Sequence, residues 1–326
     1  MPRALKVLLV LVLIGIMAVV AAFFNLKSKA EQAGPHPVNT RVLIHAGSGL
    51  KSIAAVLQAQ GVISNATQFG LWARLTGQHT KLQAGEFEIP AGASINDILT
   101  VLEHGETVVH KLTLAEGLTV TEMLIMIQDA KGLTGSVTNI PDDGMMLPET
   151  YHYSWGDDRE VLVSRMVNAM SDLIVAQWQM RPKNFILETP EQLLTLASIV
   201  EKETGIASER PQVAAVFLNR LKKGMRLQSD PTVVFAITNG SGALGRALTR
   251  QDLKTQSDYN TYRVKGLPPG PIANPGRDSI LAVMNPADIK ALYFVADGTG
   301  GHVFAKTLKQ HNRNVRNWRR FKRNQK

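Results

Sequence analysis

The chain of 326 residues has no cysteine, which removes disulfide staples, a thiol nucleophile and any Cys-based zinc site. An oxidising or periplasmic compartment suits that absence. Acidic residues are also scarce, with 27 Asp and Glu against 36 Lys and Arg and a formal net charge of +9. By itself this imbalance would suggest nucleic acid as a partner. Its distribution argues against one, because Arg313, Arg316, Arg319, Arg320, Lys322, Arg323 and Lys326 surround Trp318 and Phe321 near the C-terminus. A basic tail over 313–326 suits an anionic membrane or polymer, or simply a solvated helix end.

Charge is missing altogether from Val7 to Phe24. That run is about the minimum length of a membrane-spanning helix and exceeds the roughly 7 to 15 residues of a signal-peptide core. The following Phe-Phe-Asn-Leu-Lys lacks a small-x-small cleavage site, although Ala18, Ala21 and Ala22 keep a cleaved signal as the alternative. Arg3 and Lys6 balance Lys27 and Lys29, so charge counting does not orient the segment. The simplest arrangement is a cytoplasmic tail over 1–6, an anchor over 7–24, a linker over 25–40 containing Gly34, Pro35 and Pro37, and an exported body.

The body has room for one large or two modest domains. Arg41-Val-Leu-Ile-His45 reads as a strand and Leu50 to Gln60 as a helix with Ile53, Ala54 and Leu57 on one face. A second helix follows over Ala66 to Thr76, then a returning strand over Ala84 to Pro90, then a short helix capped by Ser94. This order over 41–106 resembles a LysM-like module, a class that recognises N-acetylglucosamine-containing glycans; a packing domain without ligand fits the same pattern. The expected class is therefore α+β: a transmembrane helix, a small LysM-like subdomain and a mixed α+β catalytic domain over 107–312.

Within 107–312, a strand over Thr107 to Ala115 precedes a helix capped by Thr119 or Thr121. A long helix over Asp158 to Gln179 is expected to bury Val161, Val163, Met166, Met170, Leu173 and Ile174. The next helix has a defined start, with Thr189 as cap, Pro190 at its first position and Gln192 at capping-box spacing. It ends in Leu196-Ala-Ser-Ile-Val-Glu-Lys-Glu-Thr-Gly205. A helix C-terminus disfavours a carboxylate anion, so a desolvated Glu there tends to keep its proton, as a general acid requires. Leu193, Leu196, Val200 and Glu203 follow one stripe, which favours Glu203 over Glu201. A solvated acidic cap is the plain alternative.

Downstream, Gln228, Ser229, Asp230 and Thr232 concentrate donors and acceptors in one turn, as recognition of a substrate rich in hydroxyls and amides demands. Tyr259 and Asn260 join them as candidates, ahead of a proline-ordered loop from Gly266 to Gly276. His302, in a glycine-rich hairpin, reads better as a loop hydrogen-bonder than as a base.

The motifs Glu-Lys-Glu-Thr, Leu-Asn-Arg-Leu, Arg-Leu-Gln-Ser-Asp-Pro-Thr, Tyr-Asn-Thr-Tyr, Gly-Leu-Pro-Pro-Gly-Pro-Ile-Ala-Asn-Pro-Gly and Tyr-Phe-Val-Ala-Asp-Gly-Thr-Gly-Gly-His occur in one order. In that order the chain resembles the YceG-like family, endolytic murein transglycosylases of the MltG type. The resemblance implies an inner-membrane anchor through 7–24 and a periplasmic body working on peptidoglycan glycan strands beside peptidoglycan synthases. It implies no cofactor or metal. It also implies non-hydrolytic cleavage of the MurNAc-β-1,4-GlcNAc bond to 1,6-anhydroMurNAc ends, terminating strand elongation. It places the catalytic acid in Glu-x-Glu-Thr, on Glu203 because a hydroxyl residue follows it, with Glu201 in reserve. The competing reading is a non-catalytic, membrane-anchored peptidoglycan-binding scaffold.

Overall fold

The uncharged run contains no proline, and in the computed structural model, which describes residues 3–324, helix α1 spans Arg3–Glu31. The first two residues of the expected cytoplasmic tail and Lys326 of the basic tail lie outside the described residues. The helix outlasts its apolar run: residues 25–31 carry no helix breaker, and Lys27 and Glu31 pair at 3.7 Å with i,i+4 spacing. Part of the expected linker is thus helical. Among the described residues α1 is the one helix long and apolar enough to cross a membrane.

Two units divide the chain, residues 1–110 with 152–157 and residues 111–151 with 158–326. In the first, β1 (Thr40–Ile44), α2 (Leu50–Ala59), α3 (Ala66–Leu75), β2 (Gly85–Ile89) and α4 (Ile95–His104) follow α1. Strands β1 and β2 are antiparallel, with Val42 opposite Phe87 and Ile44 opposite Gly85. Strand alternation turns Val42, Phe87 and Ile89 inward, where they meet Leu57, Phe69 and Ile98 in one core that also takes in Ala30 from α1. Caps fix the helix starts: Asn65 accepts from the Gln68 amide, and Ser94 and Asp97 form a reciprocal capping box.

The chain continues through β3 (Val109–Thr113), α5 (Val120–Asp129), β4 (Thr150–Ser154), α6 (Arg159–Gln179), α7 (Pro190–Glu203) and α8 (Arg210–Lys222). Then come α9 (Asp230–Thr238), α10 (Arg277–Met284), the hairpin β5 (Tyr293–Ala296) and β6 (His302–Ala305), and α11 (Leu308–Asn324). The architecture is α+β. Helix α6 departs from its expected stripe at one position: Val161 is exposed and Leu162 is buried, because Asp158 caps the helix and sets a register that turns Val161 outward. The expected basic tail lies on α11.

Helix α7 is the centre of the second unit. Every residue from Leu193 to Val200 is buried, as in a helix enclosed on all sides. Helices α6, α8, α9 and α10 pack around it. The polar Thr195 and Ser198 are tolerated because their hydroxyls donate to the carbonyls of Glu191 and Thr195, each at 2.7 Å. Ser198 Oγ also accepts the Ile272 amide at 3.0 Å, which ties the proline-ordered loop to α7. At the helix start Thr189 accepts the Gln192 amide, but the Gln192 side chain accepts from Glu188 N–H instead of closing a reciprocal box.

Candidate active site

Glu203 is the last residue of α7, where the helix dipole places partial negative charge. Its carboxyl is pushed up to about 7, chiefly by desolvation; the Ser229 hydroxyl pulls the other way and the charge of Asp230 adds to the rise. Ser229 Oγ donates to Glu203 Oε1 at 2.5 Å. The acid therefore sits in a polar notch within an otherwise dry surround.

Ser229 is held by a buried scaffold. Gln228 adopts φ 49°, a left-handed conformation unusual for a residue with a side chain, and it turns the chain into α9. The Gln228 amide donates to Thr261 O at 3.1 Å and the Ser229 amide to Thr261 Oγ1 at 3.0 Å. The Thr232 hydroxyl donates to Ser229 O at 2.7 Å and lies 2.8 Å from the Thr261 hydroxyl. Asp230 accepts from the Tyr262 hydroxyl at 2.6 Å, and burial followed by that bond raises the Tyr262 phenol.

Glu203 opens on a cavity of about 550 Å³ whose walls include Gln228, Asp230, Tyr262, Arg220 and His311. Arg220 is buried, with Nε donating to Leu292 O at 2.7 Å and Nη1 to Leu227 O at 2.5 Å, and its guanidinium lies 5.4 Å from the Tyr293 ring centroid. His311, from the first turns of α11, stacks on the same ring at 5.1 Å.

Of the residues expected at the site, Gln228 and Asp230 line this cavity and Ser229 binds the acid. Thr232 and Asn260 are fully buried inside the supporting loops, the Asn260 amide donating to Leu253 O and Thr255 O at 3.1 and 2.8 Å. Tyr259 packs on Phe235, with ring centroids 4.7 Å apart. Glu201 turns to different partners: Oε2 accepts the Gly276 amide at 2.9 Å and Oε1 lies 3.4 Å from Arg210, which also reaches Glu116 at 3.0 Å. A Cβ on Gly276 would fall 1.8 Å from Glu116 Oε1, so a larger residue there would displace the Glu116 carboxylate from Arg210. His302 bonds Glu209 through both its ring Nδ1 and its amide, each at 2.7 Å. Burial works to raise the Glu209 carboxyl, and the His302 bonds more than offset it and hold it below the usual range.

Arg220, Tyr262, Tyr293 and His311 went unselected in the sequence. Arg220 had a signal: it continues the stripe of Val213 and Phe217 on α8, and a charge on an apolar face implies a buried partner. Nothing local marks His311.

Among the described residues no cluster of His, Asp and Glu could hold a metal ion. The arrangement supplies one carboxyl that holds its proton near neutrality, a hydroxyl that orients it, and an open pocket with polar walls.

A family model described as the YceG-like family matches residues 42–317. The endolytic murein transglycosylase of Bacillus subtilis is 31% identical, the alignment covering 90% of this chain and 88% of that protein. The endolytic murein transglycosylase of Streptococcus pneumoniae R6 is 29% identical over 82% of this chain and 56% of its own length. A crystal structure of a yceG-like protein from Listeria monocytogenes superposes with a TM-score of 0.53 at 30% identity, covering 84% of this chain and 98% of that one.

Proposed function

Because the chain belongs to the YceG-like family, we propose that it is an endolytic peptidoglycan lytic transglycosylase and that Glu203 is its single acid and base. The observation that carries the reading is Glu203 itself, a carboxyl raised to about 7 at the wall of an open cavity. A group with that affinity is protonated about half the time at neutral pH and can both give and take a proton. The names of the bacterial relatives supply the substrate class.

In the first step the Glu203 proton passes to the glycosidic O4 as the bond from muramyl C1 breaks. In the second, the muramyl C6 hydroxyl oxygen bonds to C1 and returns its proton to the carboxylate. A 1,6-anhydro end forms and no water is consumed, unlike the two-carboxylate hydrolytic scheme. Ser229 keeps the carboxyl facing the cavity, while Gln228 and Asp230 meet sugar hydroxyls and amides. Thr232, Tyr259 and Asn260 act through the loops they hold. The anchor over 7–24 holds the enzyme in the inner membrane with its body periplasmic, where it terminates nascent strands beside peptidoglycan synthases. The small unit over 41–106 is read as a LysM-like subdomain.

The test is product analysis. Purified peptidoglycan digested with the protein should yield anhydromuramyl ends by mass spectrometry, and the Glu203→Gln variant should yield none. Reducing muramic acid ends would make the protein a hydrolase, and intact strands would leave a binding scaffold.

A further inference from the structure

Helix α1 is packed on the first unit, and that packing has a direction. A cavity of about 180 Å³ is lined by Lys29 and Gln32 of the α1 end together with Asn65 and Gln68 at the start of α3. One turn further along α3, the Trp72 ring lies 6.0 Å from that of Phe23. Moving forward along α3 therefore means moving backward along α1, toward its apolar run. Gln68, Trp72 and Leu75 share the α1-facing stripe of α3 by their spacing of four and three. Leu75 lies about 4.5 Å beyond Trp72 in that direction at 1.5 Å per residue.

Leu75 is nevertheless 55% exposed, and Leu71, one turn before it, is 49% exposed. On α1 the neighbouring Phe23 and Phe24 are 44% and 61% exposed. Scattered exposed leucines need no explanation, but Leu75 follows Trp72 on the stripe that meets Phe23, and Leu71, one turn before it, edges the groove between α2 and α3, so the C-terminal end of α3 carries exposed apolar groups near the end of the uncharged run. Cations border it: Lys27 is 47% exposed on α1 and pairs with Glu31 at 3.7 Å, Arg74 is exposed between the two leucines, and Lys81 beyond the end of α3 is 62% exposed and pairs with Glu103 at 3.0 Å. Aromatic and aliphatic groups ringed by cations match the boundary between acyl chains and anionic headgroups.

We propose that the C-terminal end of α3 is a membrane-contacting surface, with Leu71 and Leu75 seated at the headgroup boundary of an anionic bilayer beside Phe23 and Phe24. The inference rests on α1 spanning that bilayer. It makes the first unit a fixture at the membrane surface, held by two helices instead of swinging from a linker.

The natural absence of cysteine gives a clean test. Single Ile14→Cys, Phe24→Cys, Leu71→Cys, Leu75→Cys and Gln60→Cys variants of the full chain would be nitroxide-labelled in phosphatidylethanolamine–phosphatidylglycerol vesicles. Power-saturation EPR then compares access of oxygen with access of a water-soluble nickel chelate. The expected result is that labels at 71 and 75 are shielded from the chelate as strongly as the label at 24, while the label at 60 is freely reached. If 14 is deep in the bilayer but 71 and 75 match 60, the surface contact is overturned and the anchor stands. Free access at 14 overturns both. Shielding at 71 and 75 that persists in detergent without lipid and grows with protein concentration would assign the surface to a second copy and also overturn the proposal.

Discussion

Replacing Glu203 by glutamine is expected to abolish cleavage and at the same time stabilise the protein, but only above acidic pH. The carboxyl titrates at about 7 in the folded chain against an ordinary 4.5. Below 4.5 it is protonated in both states and contributes no difference. Between 4.5 and 7 the folded state holds a proton that the unfolded state has released, so stability falls as pH rises and levels off above 7. The full difference corresponds to about 3 kcal/mol, and residual solvent access at the cavity lowers it to roughly 2 to 3 kcal/mol. Glutamine keeps an oxygen to accept from Ser229 and has no charge to desolvate. The variant should therefore match the parent near pH 4 and exceed it at pH 8, by roughly 4 to 10 °C for a unit of this size. Thermal unfolding of the full chain followed by circular dichroism over this pH range measures it. A stability difference independent of pH would refute the claim that Glu203 is desolvated.

Under the proposed mechanism the same carboxyl also governs rate. In Ser229→Ala the hydroxyl that lowers the Glu203 carboxyl is gone, so the alkaline limb of the kcat/KM profile, centred near 7 in the parent, should move up by about one pH unit while the rate falls. Glu201→Gln leaves the buried Arg210 with its less enclosed partners Glu116 and Asp278, and should cost about 1 to 3 kcal/mol of stability while retaining cleavage at low temperature; loss of cleavage in a fully folded variant would move the acid to Glu201. Gln228→Gly removes a side chain from the cavity and relieves the left-handed backbone, so Tm should rise by about 0.5 to 1 kcal/mol equivalent while kcat/KM drops.

Local chemistry made much of this fold legible. Thr189 with Pro190 and Ser94 cap helices as expected, and of Thr119 and Thr121 it is Thr119 that caps α5. The structure gives Glu203 and Glu201 different partners, Ser229 for the first and the Gly276 amide with Arg210 for the second, but α7 is buried all round from Leu193 to Val200, so a single apolar stripe could not have told them apart. Helices α9 and α10 stayed hidden, since Asp230-Pro-Thr reads equally as a turn, and α10 is eight residues long and follows a glycine without a side-chain cap. Asn260 looked like a ligand for sugars because an amide in a polar loop has the right chemistry; only its carbonyl partners reveal that it staples the loop. The cavity wall combines the end of α7, α8, the turn into α9, the loop at Tyr262, β5 and α11, and no periodicity within one segment can report such a meeting.

Asn274, in the proline-ordered loop from Gly266 to Gly276 that ties onto α7, joins distant parts of the chain. Its amide donates to Leu118 O across 156 residues, and its side-chain oxygen accepts the Met146 amide across 128. Closing contacts between such distant parts of the chain costs loop entropy. The loop they secure is the one that reaches Ser198 in the middle of α7 and Glu201 at its end. The helix that carries Glu203 is therefore braced by residues that meet only when segments more than a hundred residues apart have closed on one another.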